Sequence, residues 1–154
     1  MSKTNNFLRY WLVVLVWMTL IFGFSSDAKS YQHSSTLFEP LLRWLFPHMP
    51  TPQILEIHHL FRKCCHLTEY AILTLLVWRA VAKPQKSQPR PWCWNHAALA
   101  LAIVFCFACS DEFHQVFVPT RTALFSDVLI DTAGGALALL ILWLIGRWLP
   151  GRKA

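Results

Sequence analysis

The sequence predicts an all-α protein: a polytopic membrane bundle of four transmembrane helices plus an interfacial helix in the first outer loop, built as a single domain over residues 1–154. Three observations lead there. The chain is 55% hydrophobic and only 14% charged, whereas soluble domains carry about 25% charged residues. Its apolar residues gather in four long runs. Its eight tryptophans and eleven phenylalanines are many for so short a chain, and Trp favours the membrane–water boundary, where an amphipathic ring has one apolar and one wet side.

The first run covers residues 8–24, close to the shortest stretch that crosses a bilayer. Lys3 and Arg9 ahead of it, with Ser26-Asp27-Ala28 behind, also fit a cleaved signal peptide. Trp11, Trp17, Phe22 and Phe24 make it bulkier than most signal cores and favour a span. From Ser34 to Phe46, residues Leu37, Phe38, Leu41, Leu42 and Leu45 recur at helical spacing, with Glu39 and Arg43 between them. That pattern reads as a helix lying in the outer interface, with a packed loop helix as the alternative. The second span, 64–82, belongs to a longer helix beginning near Thr51-Pro52, because proline is tolerated at the first helical position. Residues 83–91 contain three prolines and read as an exposed connector. The third and fourth spans cover residues 92–110 and 124–149.

Four spans put both termini and the 83–91 connector on one side. Nine of the fourteen Lys and Arg residues fall there: Lys3, Arg9, Arg79, Lys83, Lys86, Arg90, Arg147, Arg152 and Lys153. None of the eight acids does. The positive-inside rule then predicts a bacterial cytoplasmic (inner) membrane protein with both termini cytoplasmic and an acidic face turned outward. The net charge of +6 therefore reads as topology and not as a nucleic-acid surface, because the basic residues flank apolar runs and form no stripe with base-stacking aromatics. His96, with Trp92 and Trp94, reads as an anchor at the basic boundary. His48, His58 and His59 read as solvated outer-loop residues. Cys106 and Cys109 lie in an apolar run and read as small hydrophobes. No Gly-rich phosphate loop occurs in any span or connector, which argues against a nucleotide site.

Polar groups collect where the helices meet the outer boundary. Arg62, His66, Glu69 and Tyr70 stand at i, i+4, i+7 and i+8, one face of a helix. Asp111, His114 and Gln115 share a face if the third helix continues through them, with Glu112 beside them. Arg121 precedes the fourth span, which carries Asp127 and Asp131 and then Gly134-Gly135. Small residues let neighbouring helices approach closely. Aspartates four apart repel, so Asp127 and Asp131 need a cation partner or a shared proton. Ionisable groups in a span are costly and normally face the bundle interior.

The segment Phe24-Ser25-Ser26, the string Arg62-Lys63-x-x-His66-x-x-Glu69-Tyr70, and Asp111-Glu112-x-His114-Gln115 followed by Pro119-x-Arg121, Asp127 and Gly134-Gly135 resemble the VanZ-like family of small integral membrane proteins. The resemblance covers almost the whole chain. Two positions depart from it: Thr120 stands where the family often has Gly, and Asp131 where it often has Asn. The family takes its name from a low-level glycopeptide (teicoplanin) resistance protein. The resemblance therefore implies a place in the cell envelope and an effect on glycopeptide susceptibility, with no established reaction.

Four functions fit these residues. In the first, an outward-facing site binds or processes an anionic or lipid-linked envelope substrate. Arg62 and Arg121 clamp its anion through bidentate hydrogen bonds. Gln115, Tyr70 and Glu112 complete the binding set. His66 or His114 moves a proton, with Glu69, Asp111 or Asp127 orienting the histidine or acting as base. In the second, the polar cluster is helix glue in a non-catalytic scaffold. The third uses the i, i+3 pairs His66/Glu69 and Asp111/His114 as ligands of a catalytic metal. The fourth is a proton-coupled transporter, which the nearly apolar cytoplasmic half of the spans disfavours. The partners expected are the lipid bilayer and, in the first case, that substrate; no cofactor or metal is assigned, and no nucleic acid.

Overall fold

The computed structural model describes residues 3–26, 30–83, 92–118 and 124–148. Their regular structure is entirely helical, in the order α1 (Lys3–Ser26), α2 (Ser30–Leu45), α3 (Thr51–Ala82), α4 (Trp94–Gln115) and α5 (Phe125–Trp148). Four of these helices are long and apolar enough to cross a membrane: Leu8–Ser25 within α1, then α3, α4 and α5. This is a multi-pass α-helical membrane protein.

Helix α3 is the centre of the bundle and packs against every other helix. It begins at Pro50, with a second proline in its first turn, where a missing N–H costs nothing. It ends at Lys83, whose left-handed backbone (φ 45°) turns its N–H onto the Arg79 carbonyl at 3.0 Å. Its 32 residues make a rod about 48 Å long, against a hydrocarbon core of about 30 Å.

The buried seam is built from small and β-branched residues. Ala97, Ala100, Val104 and Ala108 recur every three or four positions along α4, and the last three cluster with Tyr70, Leu73, Val77 and Ala80 of α3. Small side chains at such a repeat let backbones approach closely in lipid, where no hydrophobic force drives helices together. The α3–α5 approach is tightest at Gly134 and Gly135. A Cβ on Gly134 would strike the Leu67 main chain, with the Leu67 Cα only 3.1 Å away, and one on Gly135 would meet the Thr74 side chain. Leu, Val and Ile line the outside of the bundle, where lipid replaces water as the solvent.

Helix α1 touches this core along one stripe. Val14, Ile21 and Ser25 are buried, and Tyr10, Trp17 and Met18 pack partly against the core. Leu12, Val13, Leu15 and Val16 face outward. The Trp17 indole N–H donates to the Glu69 carbonyl at 3.0 Å and ties α1 to the middle of α3.

Helix α2 starts four residues earlier than the Ser34 expected from the sequence. It rests on the first turns of α3 through Phe38, which stacks on Phe61 at 4.6 Å, and through buried Leu42. Leu41, Trp44 and Leu45 remain exposed. The helix is thus packed against α3 on one face and apolar on the other. An Arg43–Glu39 pair at 2.8 Å spans one of its turns.

Two readings are corrected. His58 is not a solvated loop residue: it sits within α3, 3% exposed, with its ring 5.5 Å from Phe38. The polar sequence Asp111–Gln115 is helical, so α4 runs one turn and more past the expected end at residue 110.

Candidate functional site

The polar residues assemble at the end of the bundle opposite the termini, in two adjoining groups. The deeper group is a hydrogen-bonded knot. Asp111, 1% exposed, accepts from the Tyr70 hydroxyl at 3.5 Å and from Gln115 Nε2 at 3.4 Å. Gln115 Nε2 also lies against Ser25 Oγ, so α1, α3 and α4 meet through four side chains. Asp111 and Gln115 are one turn apart on α4, which brings both to the same inner face.

The second group lines a partly open cavity of about 160 Å³ between α3, α4 and α5. One wall is basic. His59, Arg62, Lys63 and His66 all come from α3, at i, i+3, i+4 and i+7, which is one continuous stripe. The facing wall is acidic and comes from the other two helices: Glu112 beside Gln115 on α4, and Asp127 and Asp131 on α5. Leu124 and Ile130 supply the apolar remainder. Two close approaches cross the cavity. Lys63 Nζ stands 3.7 Å from Asp127 Oδ1, and His66 Nδ1 stands 4.0 Å from Asp131 Oδ1.

Local structure fixes the acidic wall. The Glu112 carboxylate accepts the Leu124 main-chain N–H, so an acid on α4 caps the entry of α5. Asp127 lies in the first turn of α5, where the helix dipole favours negative charge. One turn deeper, Asp131 is only 4% exposed, and its Oδ1 accepts no hydrogen bond among the described residues. One turn further along α5, Gly134 packs on the Leu67 main chain of α3.

Of the expected site residues, Arg62, His66, Glu112, Gln115 and Asp127 line the cavity. Asp111 and Tyr70 belong to the knot. Glu69 and His114 line neither group. At about 100° per residue, Glu69 is turned some 60° from His66, on the flank of α3 where Trp17 reaches its carbonyl. His114 is turned the same way from Asp111, and its ring packs on Phe22 of α1 at 4.5 Å. The two carboxylate–histidine pairs therefore do not converge. Among the described residues, no three His, Cys, Asp or Glu side chains gather to hold a metal ion. Arg121 lies outside the described residues.

His59, Lys63 and Asp131 join the cavity without having been assigned to it from sequence. The signal was present for the first two, since the Arg62/His66 stripe extends one turn back to His59 and sideways to Lys63. Chemically, the α3 wall offers N–H donors to an oxyanion and the α5 wall offers acceptors to a cation.

No curated protein and no solved structure matches the chain. The sequence profile of the VanZ/LLP1 family matches residues 10–146, which take in α1 to α5 almost entire and both polar groups. The chain belongs to the VanZ/LLP1 family.

Proposed function

We propose that this chain is a cell-envelope protein of the bacterial cytoplasmic membrane, with cytoplasmic termini, whose cavity binds the anionic headgroup of an envelope lipid or lipid-linked substrate at the outer face. The observation that carries this reading is the run of His59, Arg62, Lys63 and His66 along one wall of a single cavity. Four adjacent cationic or N–H-bearing side chains are a poor structural device in a membrane helix and a good oxyanion receptor. Orientation rests on the nine Lys and Arg residues, with no acid, at the terminal end. The family's association with glycopeptide susceptibility supports an envelope role. His66 and Asp131, whose Nδ1 and Oδ1 stand 4.0 Å apart, are the pair suited to proton transfer within it.

The test is binding of phosphate-bearing lipid to the purified full chain, read by native mass spectrometry. Arg62→Ala is expected to lower the bound fraction about tenfold, the effect of losing one charge-assisted hydrogen-bonding group. Unchanged binding in Arg62→Ala and Lys63→Ala, with both proteins folded, overturns the reading.

The scaffold reading keeps one specific support. The Asp111–Tyr70–Gln115–Ser25 knot joins three helices, and of its members Gln115 alone reaches the cavity. Helix glue is proposed for that group alone. Asp127→Asn separates the two readings: a scaffold keeps its glycopeptide phenotype when this half-buried acid is neutralised, and a receptor loses it.

A further inference from the structure

We propose that the cavity recognises a compact zwitterion, a phosphate and a protonated primary amine a few atoms apart, as carried by an aminophospholipid headgroup. The inference rests on the anion-binding reading above and names the class of headgroup. It starts from the charge of the two walls. A simple anion satisfies the α3 wall but brings its charge up to Glu112, Asp127 and Asp131 across a narrow cavity. Unit charges at such separations interact strongly where water is scarce. A zwitterion gives each wall its complement, with phosphate on Arg62 and Lys63 and the amine on Asp127 and Asp131.

A second observation points independently to the amine. Asp131 lines the cavity, and its buried Oδ1 accepts no hydrogen bond among the described residues. His66 Nδ1 at 4.0 Å is beyond hydrogen-bond reach. A buried carboxylate oxygen left in that condition is costly, and an ammonium group carries three N–H donors and no acceptor. A quaternary ammonium carries the same charge with no N–H, so it could not complete Asp131.

Size restricts the ligand further. A cavity of about 150 Å³ holds a group the size of benzene. At about 160 Å³, this one suits a phosphoethanolamine unit and excludes a sugar-bearing pyrophosphate from full entry.

The experiment titrates the detergent-solubilised full chain, by native mass spectrometry, with phosphatidylethanolamine, phosphatidylcholine, phosphatidylglycerol and soluble phosphoethanolamine. The ethanolamine lipid is expected to bind about tenfold better than the choline and glycerol lipids, the worth of one hydrogen bond to a charged group. Asp131→Asn is expected to bring the ethanolamine-to-glycerol ratio down to about one, and Asp127→Asn to lower it part of the way. Soluble phosphoethanolamine that competes as well as the lipid identifies a free zwitterion as the ligand; competition by lipid alone identifies a headgroup. Equal binding of ethanolamine and choline lipids, or glycerol lipid preferred over both, overturns the zwitterion while leaving anion binding intact. Absence of any Arg62-dependent lipid binding instead removes the anion-binding reading itself.

Discussion

The two ends of the bundle solve the same boundary problem with opposite chemistry. At the end bearing the termini, Trp78 stacks on Trp92 at 5.7 Å, Trp92 meets Trp94 edge-on at 5.6 Å, and Trp94 reaches Trp143 at 5.7 Å, so one chain of indoles joins α3, α4 and α5. The cations there rest on rings: Arg79 over Tyr10 at 5.2 Å and Arg147 over Trp143 at 5.0 Å. At the other end, cations face carboxylates across a cavity. The difference teaches what each end is for. A ring neutralises nothing, so the aromatic end keeps its net positive charge and can read membrane sidedness. The mixed end cancels most of its charge and offers both signs to a ligand. One end is built as an anchor, and the other is the receptor of the function proposed above.

Four experiments break or sharpen that contrast, from the largest effect to the smallest. Gly134→Leu drives α3 and α5 apart and is expected to cost more than about 3 kcal/mol, the upper range for overpacking. Gly23→Ala, where an added Cβ meets nothing within 4 Å, should change stability by no more than about 1 kcal/mol, in the favourable direction. Denaturation of the two proteins in mixed micelles measures the gap. Asp111→Ala leaves the Tyr70 hydroxyl buried without its acceptor and Gln115 with Ser25 alone, and is expected to cost about 2 kcal/mol by the same assay; a neutral result would separate the knot from the fold. At the aromatic end, Arg79→Ala and Arg147→Ala should each cost about 0.5–1 kcal/mol, the worth of an exposed cation–π contact. Neither should alter lipid selectivity in the native mass spectrum. Smallest is the Lys63–Asp127 pair, about a third exposed on both sides. A double-mutant cycle with alanine at each position should give a coupling under about 1 kcal/mol, while lipid binding falls in both single variants. A large coupling without any binding defect would make the pair structural and blur the two ends together.

The sequence spoke most clearly about elements whose physics is local. Apolar runs bounded by charge marked four spans, because bilayer thickness imposes the length and charged flanks impose the limits. The amphipathic spacing of Leu37 to Leu45 revealed α2, and Pro52 marked the start of α3. The candidate site was legible in part. Arg62 and His66 share a stripe, and a stripe can be read from spacing alone. Which side of that stripe faces α5 and which faces α1 depends on how four helices are rotated about their axes, and no periodicity within one helix reports that. Glu69 and His114 sit one step off their stripes and turn toward α1 for this reason. The separation of Asp111 from Asp127, one in a closed knot and the other on a cavity wall, is likewise set by packing between helices. His58 was misread because its apolar neighbour, Phe38, arrives from another element.

The length of α3 carries a consequence of its own. A rod of about 48 Å cannot lie wholly within a hydrocarbon slab of about 30 Å, so its first turns, with His59, Arg62 and α2 riding on them, stand at headgroup level. Thickening the bilayer would draw those turns toward acyl chains and oblige the bundle to tilt or the lipid to thin around it. Receptor occupancy should then depend on hydrophobic mismatch: the same headgroup on longer acyl chains would meet the α3 wall at a different depth. Chain length, a property remote from any charge in the cavity, becomes a means of tuning it.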